Sequence, residues 1–383
     1  MRVGVFADLV YRRQDGVVMT DIAFAEFLAG LAAQVSELVV FGRLDPEPGA
    51  APHVLAGPTV RFVALPHYRS LRDVRDVARA RRKAVETVDT ALEGIDVLWL
   101  FGPHPLALQL ARLGRRRGVP VVLGVRQDLP AYVRGRVSGA KRLVAPVAVQ
   151  VLERAFRRVA RHVPTVVVGD ELARHYSAGA APVLAVVVSL VRDEDLVAPE
   201  AALGEDWSGP KRVLSVGRLD PEKNPLLLAD IIDGLRVDGS DWQLRVAGTG
   251  SLAAALRHQG AAGLDLLGYV PHGPELRDLY RSSHALVHVS FTEGVPQVLF
   301  EAMAAGLPIV ATAVGGVPEV AGHDRGLLVP PGDAHAVVVA LRHLADDAAL
   351  RERLVRAGLD FVREHTLDAE AKRIVAFLES AAA

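Results

Sequence analysis

The sequence predicts an α/β protein made of two doubly wound domains, and three observations carry that expectation. Short β-branched runs alternate with helix-length amphipathic stretches along all 383 residues, as parallel strands joined by crossover helices require. The alternation breaks once, in a polar Pro- and Gly-containing stretch over 192–210, and then restarts. Half of the residues are hydrophobic and the net charge is −1, so two ordinary cores can be buried and a disordered chain is excluded.

In the first half, strands are expected at 3–7, 38–41, 60–65, 97–101, 119–125, 165–168 and 183–188, with helices between most of them. A second series opens at Arg212 and continues at 243–247, 264–267, 285–289, 308–311 and 326–329. The boundary is placed near Leu190, giving domains over 1–190 and 191–366. The last helix, 367–383, has no strand after it and is expected to pack back on the first domain. Two such sheets offer ligands a cleft outside their strand C-termini.

There are no cysteines, which excludes disulfides, thiolate metal sites and a catalytic thiol. The start, Met-Arg-Val-Gly-Val-Phe-Ala, has no signal-peptide pattern, and apolar runs such as 183–188 fall far short of the roughly 20 residues that span a bilayer. A cytoplasmic, non-spanning chain is expected. Residues 1–190 hold 26 Lys and Arg against 17 Asp and Glu, and the remainder 18 against 28. Within 130–161, eight basic residues accompany one acidic residue, Glu153, over the amphipathic pattern of Leu143, Val147, Val151, Leu152 and Phe156. This segment either lines a solvated helix face through Arg154, Arg157, Arg158 and Arg161 or touches an anionic surface, such as the inner face of a membrane. Nucleic acid is not an expected partner.

The segment Val216-Gly-Arg-Leu-Asp-Pro-Glu-Lys-Asn-Pro225 is a strand end, a polar loop and a helix start near Pro225. Gly217 permits a sharp turn, and the new helix presents amides and a positive dipole end to an anion. Arg218 forks phosphate oxygens and Lys223 adds a point charge, a pair suited to a diphosphate, unless both are merely solvated at a surface turn. A second strand, loop and helix spans Ser290 to Pro308. Pro296 sits where its helix begins, so Glu293 falls in the loop and Glu301 inside the helix. Each carboxylate can clamp a vicinal diol, while the amides of Val295, Gln297 and Val298 face a diphosphate. The alternative for Glu301, a solvated helix face, conflicts with its apolar neighbours Leu299, Phe300, Ala302 and Met303. Asp193-Glu-Asp195 has the spacing of a carboxylate pair around a cation but lies in the polar linker. His284 and His288 are four apart on a strand, where that spacing does not converge on a metal. No metal site or cofactor is expected.

Together these segments closely resemble the donor domain of glycosyltransferase family 4, of group 1 type, a large and mostly retaining family with two facing Rossmann-like domains, the GT-B fold. The resemblance runs through Gly217 to Lys223, Val246 to Ser251, Leu267 to Pro271, Glu293 to Pro308 and Gly315 to Glu319. It implies that Arg218 and Lys223 bind the donor diphosphate, that Glu301 holds the ribose and that Glu293 grips the donor sugar. It further implies that Gly294, Val295, Pro296, Gln297 and Val298 contact sugar and phosphate, with Tyr269 and Val270 near the base. The activity so implied is transfer, with retention, from a UDP- or GDP-sugar to a lipid-linked, polysaccharide or small-molecule acceptor. No metal and no protein nucleophile take part.

The first, acceptor-binding domain matches the family more loosely. Where relatives carry paired glycines after the first strand, this chain has only Gly16, in Tyr11-Arg-Arg-Gln-Asp-Gly-Val17, before a helix expected near Thr20. Relatives often place a sugar-contacting histidine after the 119–125 strand, where this chain reads Arg126-Gln-Asp128. Arg126, Asp128 or His104 is the candidate replacement. The usual Asn-Gly-Val-Asp loop is Ser189-Leu-Val-Arg192. Two other readings share the fold: a non-catalytic nucleotide-sugar-binding subunit, and a nucleotide-sugar epimerase, for which no acid and base pair is evident.

Overall fold

The β-branched runs form parallel strands buried on both faces, as crossover helices demand. In the computed structural model the described residues are 1–68, 74–127, 129–130, 141–204 and 206–383, without the side chains of 74 and 141–148. Asp128 lies outside them. They divide into two units, Met1–Val188 with Leu367–Ala383, and Ser189–Thr366.

The first unit contains β1 (Arg2–Gln14), β2 (Val17–Thr20), α1 (Phe24–Ala32), β3 (Glu37–Leu44), β4 (His53–Val54), β5 (Val60–Leu65) and α2 (Val74–Ala91). It continues with β6 (Val97–Gly102), α3 (Pro105–Arg117), β7 (Val121–Val125), α4 (Lys141–Ala160), β8 (Thr165–Val168), α5 (Asp170–Tyr176) and β9 (Val183–Val186). Its parallel strands run in the order β5-β3-β1-β6-β7-β8-β9. Val39, Phe41, Leu98, Leu100 and Leu123 from the strands meet Val88, Leu106, Leu110 and Phe156 from the helices in one core.

Here one sequence expectation is corrected. The first strand does not end at residue 7 before a glycine loop and a helix. It continues to Gln14, turns at Asp15 (φ 51°) and Gly16 (φ 81°), and returns antiparallel as β2, with Arg12 opposite Met19 and Gln14 opposite Val17. Two positive φ values in succession at Asp-Gly make a hairpin turn matched to strand twist. The helix then starts at Phe24 rather than near Thr20, so Gly16 occupies a hairpin tip and feeds no helix N-terminus. The terminal helix, Leu367–Ala382, packs on α1, where a Cβ at Gly30 would stand 2.6 Å from Leu367 Cδ2. Its fully buried Glu370 is paired with Arg373 at 2.8 Å and accepts from the Val187 amide.

The second unit contains α6 (Pro199–Leu203), β10 (Lys211–Val216), α7 (Leu227–Arg236), β11 (Trp242–Ala247), α8 (Ala253–Gln259), β12 (Leu264–Gly268) and α9 (Pro274–Arg281). Then follow β13 (Ala285–His288), α10 (Gln297–Ala304), β14 (Ile309–Thr312), α11 (Val317–Ala321), β15 (Leu327–Val329), α12 (Ala334–Asp346) and α13 (Ala348–Glu364). Its sheet is wholly parallel, in the order β12-β11-β10-β13-β14-β15.

Counted by parallel strands alone, both units follow the 3-2-1-4-5-6 order of the Rossmann fold, in which ligands bind outside the strand C-termini where the order reverses. That point lies between β1 and β6 in the first unit and between β10 and β13 in the second. Among the described residues, no helix is long and apolar enough to cross a membrane.

Candidate functional site

The residues singled out in the second half gather at the carboxyl ends of β10 and β13, the two strands flanking its reversal point. After β10 the backbone passes through Gly217 into a 3-10 turn, Pro221–Lys223, and then Asn224 in the left-handed region (φ 51°). The loop after β11 packs directly beneath it. A Cβ at Gly248 would lie 1.8 Å from the Gly217 carbonyl oxygen, and one at Gly250 would meet the Leu219 backbone. The loop after β13 is joined to the first by the Phe291 amide, which donates to the Glu222 carbonyl at 2.9 Å. It is supported from below by the loop after β14. The Gly316 amide donates to the Gly294 carbonyl at 2.9 Å, and a Cβ on Gly315 (φ 52°) would stand 2.0 Å from the Glu293 carbonyl oxygen.

Glu293 and Lys223 meet in this frame, 70 residues apart in sequence, with Nζ 2.5 Å from Oε1. The same oxygen accepts from Ser290 Oγ at 2.6 Å and lies 2.9 Å from His288 Nε2. The Glu293 side chain is 7% exposed. Burial alone raises a carboxyl pKa, but hydrogen bonds from His288, Lys223 and Ser290 outweigh it and bring Glu293 down to about 2. It is therefore an anion throughout the physiological range, able only to accept hydrogen bonds. Arg218 is 64% exposed and bonds Asp220 and Glu222, each at 2.6 Å. Asp220 in turn accepts from the amide and hydroxyl of Ser251 at 3.0 Å, which ties the Arg218 loop to the loop after β11.

Pro296 caps α10, and Glu301 lies one turn inside that helix. Its Oε2 accepts from the Tyr280 hydroxyl at 2.6 Å, and His272 Nε2 lies 3.9 Å from Oε1. Burial first, and then the Glu301 charge, raise the Tyr280 pKa well above its ordinary value, so Tyr280 is a donor here. Glu301, Tyr280, His272, Arg277 and Asp195 line one recess of the second unit. Gln297 turns its side chain to the Leu190 amide at 3.0 Å. Tyr269 is 69% exposed in the turn after β12, beside Val270.

The linker carboxylates are structural. Asp195 accepts from Arg277 at 2.8 Å and from the Arg192 amide, and Asp193 accepts from Thr366. His284 is likewise engaged with backbone, accepting from the Arg212 amide at 2.9 Å through Nδ1 and lying 3.0 Å from the Asp206 carbonyl through Nε2. Among the described residues, no group of three or more His, Asp and Glu is placed to hold a metal ion.

In the first unit, His104 caps α3, accepting from the Leu106 amide at 3.2 Å, and its Nε2 lies 3.5 Å from Asp8. Asp8 also takes a two-pronged bond from Arg43, at 2.7 and 3.3 Å, and a hydroxyl bond from Tyr68 at 3.2 Å. Burial is the main cause of a lowered His104 pKa, opposed by Asp8. Arg126 stacks over Phe24, 4.4 Å from the ring centroid, and burial lowers its pKa as well. Gly16 is absent from both clusters. The sequence reading missed His288, Ser290 and Tyr280 as partners of the carboxylates, and Asp8 and Arg43 as partners of His104. Only the positions of Asp8, just past the strand expected at 3–7, and His104, just past β6, offered a signal.

With this geometry in place, the chain can be set against known proteins. The profile of the family "Glycosyl transferases group 1" matches residues 210–347, and that of "Glycosyl transferase 4-like domain" matches residues 21–190. The GDP-mannose-dependent alpha-mannosyltransferase of Mycobacterium tuberculosis is 30% identical over 272 residues, 67% of each chain. The chain belongs to the group 1 glycosyltransferases. The D-inositol 3-phosphate glycosyltransferase of Streptomyces avermitilis is 33% identical over 210 residues, 49% of this chain and 45% of that one. Matches to several of these relatives span only about a third to a half of their own length. Among solved structures, the sucrose-phosphate synthase of Thermosynechococcus elongatus superposes with a TM-score of 0.68 at 18% identity, covering 99% of this chain and 98% of that one. Anabaena Alr3699/HepE in complex with UDP gives 0.67 at 15% identity, covering 99% and 100%. At such identities the likeness establishes the fold, which this group 1 glycosyltransferase shares as GT-B.

Proposed function

We propose that this group 1 glycosyltransferase moves a sugar from a nucleoside diphosphate to an acceptor hydroxyl, with retention at the anomeric carbon and without a metal ion. The observation that carries the reading is the part-buried pair of Lys223 and Glu293 at the reversal point of the second unit. Lys223 and Arg218 hold the diphosphate and stabilise the charge that grows on it as it leaves. In the free chain both cations rest on carboxylates, so an arriving diphosphate competes for them. Glu293 keeps its hydrogen bonds from His288 and Ser290 when Lys223 turns away, stays ionised, and accepts from hydroxyls of the transferred sugar.

Glu301 accepts from the ribose, with Tyr280 fixing its orientation. Backbone at Gly217 and from Gly294 to Val298 approaches sugar and phosphate, and Tyr269 and Val270 lie near the base. The bond from C1 to the diphosphate oxygen breaks, a bond from C1 to the acceptor oxygen forms on the same face, and the acceptor proton passes to the departing diphosphate. UDP and GDP are the candidate nucleotides. The M. tuberculosis relative is named for GDP-mannose, and Anabaena Alr3699/HepE is a complex with UDP. The acceptor is lipid-linked, a polysaccharide or a small molecule, selected by the first unit, where Arg126, Asp128 or His104 takes the place of the family histidine.

Incubation with UDP-, GDP- and ADP-sugars in EDTA, with and without cell extract, tests the reading. Extract-dependent release of one nucleotide diphosphate is expected. Failure to bind any nucleotide sugar overturns the donor site. Conversion of the donor sugar without extract shows an epimerase instead, and binding with no turnover under any extract shows a non-catalytic subunit.

A further inference from the structure

Helix α4 carries Arg154, Arg157, Arg158 and Arg161 at spacings of three and four, which places all four guanidinium groups on one face. Like charges at these spacings destabilise a helix, and this face contains four such pairs. Two other arginine-rich helices interleave carboxylates, whereas α3, with Arg112, Arg115, Arg116 and Arg117, carries none of its own and pairs Arg117 with Asp89 of α2. In α2, Arg79 pairs with Asp76 and Arg82 with Glu86, and in α13, Arg356 pairs with Glu352 and Arg363 with Asp360. Among the described residues, no carboxylate lies within ion-pair distance of the four arginines of α4. Glu153, one turn before Arg157, is bonded instead to the Tyr176 hydroxyl at 2.7 Å.

The repulsion is concentrated rather than spread. The four side chains, with His175, Tyr176 and Ala178, line a single cavity of about 260 Å3, and among the described residues that line it none is acidic. The loop after α5 closes over the end of α4, since the Ala180 and Ala181 amides donate to the Arg161 carbonyl and a Cβ at Gly179 would meet the Arg161 backbone at 2.3 Å. That closure fixes the last arginine relative to His175. Drug-sized ligands fill about 300–1,000 Å3, so a smaller, strongly basic cavity suits a compact anion. Guanidinium forks match tetrahedral oxyanions, and repulsion that no described carboxylate compensates is relieved when one enters.

We infer that the arginine face of α4 and His175 form a binding site for a phosphate or diphosphate group, separate from the donor site of the second unit. The inference does not depend on the transferase reading. Such a group comes either from a soluble phosphorylated molecule or from a phosphate-bearing lipid headgroup, and two arms of one experiment separate these sources.

Because Arg218 and Lys223 also attract diphosphate, inorganic pyrophosphate is titrated calorimetrically into the protein with Arg218→Ala and Lys223→Ala and into the same protein with Arg157→Gln and Arg161→Gln added. In parallel, both proteins are sedimented with phosphatidylcholine vesicles with and without phosphatidic acid. The expected result is pyrophosphate binding weakened at least about tenfold by the two glutamines. Substitution-sensitive binding to phosphatidic acid vesicles without a pyrophosphate site assigns the group to a lipid and also supports the inference. Binding that the glutamines leave unchanged, or no binding in either arm, overturns it. Thermal unfolding of the glutamine variant checks the fold, and its Tm is expected to be no lower than that of its parent, because the substitutions relieve repulsion.

Discussion

The two units place equivalent strand ends side by side and fill them with different materials. At the end of β10 and β13 the frame is backbone. Gly248, Gly250, Gly315 and Gly316 let loops stack at distances that exclude a Cβ, and the few charged side chains are held on that platform. In the first unit the frame is made of side chains, with Asp8, inside β1, collecting Arg43, Tyr68 and His104, and Arg126 lying on Phe24. Strand order decides where a site sits in both. What surrounds it decides how freely the site can vary, because a backbone platform requires glycines at fixed places whereas a side-chain network can be rebuilt from other residues.

The sharpest way to break this contrast is to remove the anion that the platform serves. Glu293→Ala is expected to lower turnover by roughly 10²–10³-fold while changing nucleotide affinity little, measured as kcat against Kd. An affinity loss without a turnover loss reverses the assignment. Gly315→Ala probes the platform itself. With φ at 52° and a Cβ 2.0 Å from the Glu293 carbonyl oxygen, it is expected to destabilise the second unit by about 2–3 kcal/mol, read from denaturant midpoints.

Arg218→Ala keeps the platform and removes one fork, so nucleotide diphosphate affinity is expected to fall about tenfold, roughly 1.5 kcal/mol, with little change in stability. On the other side of the comparison, Asp8→Ala leaves the largely buried Arg43 without its carboxylate, at about 1–2 kcal/mol of stability. Donor affinity is expected to stay constant, and a drop in it would show that the two sites are not independent.

The smallest effect concerns acid. The pKa of Glu293 is lowered in the folded chain, so its contribution to stability is full above about 4.5 and is lost as pH falls from there through about 2. Glu293→Gln is expected to flatten the acid unfolding curve within that window and to leave its slope near neutrality unchanged.

The same contrast explains what could be read from the chain alone. Gly217, Glu293, Pro296 and Glu301 lie in short contiguous blocks whose turn and helix-start chemistry is local, so their placement in loop or helix was legible. His288 was visible only as a histidine four residues from His284, and its bond to Glu293 needed the β13 loop to fold back. Asp8 and Arg43 are 35 residues apart, and no local pattern links them. The Asp15-Gly16 pair carries a strong local hairpin signal that the expectation of a helix near Thr20 passes over, because it weights position after the first strand above the Asp-Gly pair itself. The two-residue strand β4 is too short for any periodicity.

The return of the terminal helix to the first unit sets an order of completion during synthesis. The second unit is one uninterrupted stretch, whereas the first lacks Leu367–Ala383 until those residues, which follow the whole second unit, have left the ribosome. Although it emerges first, the first unit is the later of the two to have all its residues. Until then the apolar face of α1 around Gly30 has no Leu367 to cover it, and the nascent chain passes through a stage with one unit complete and the other still open.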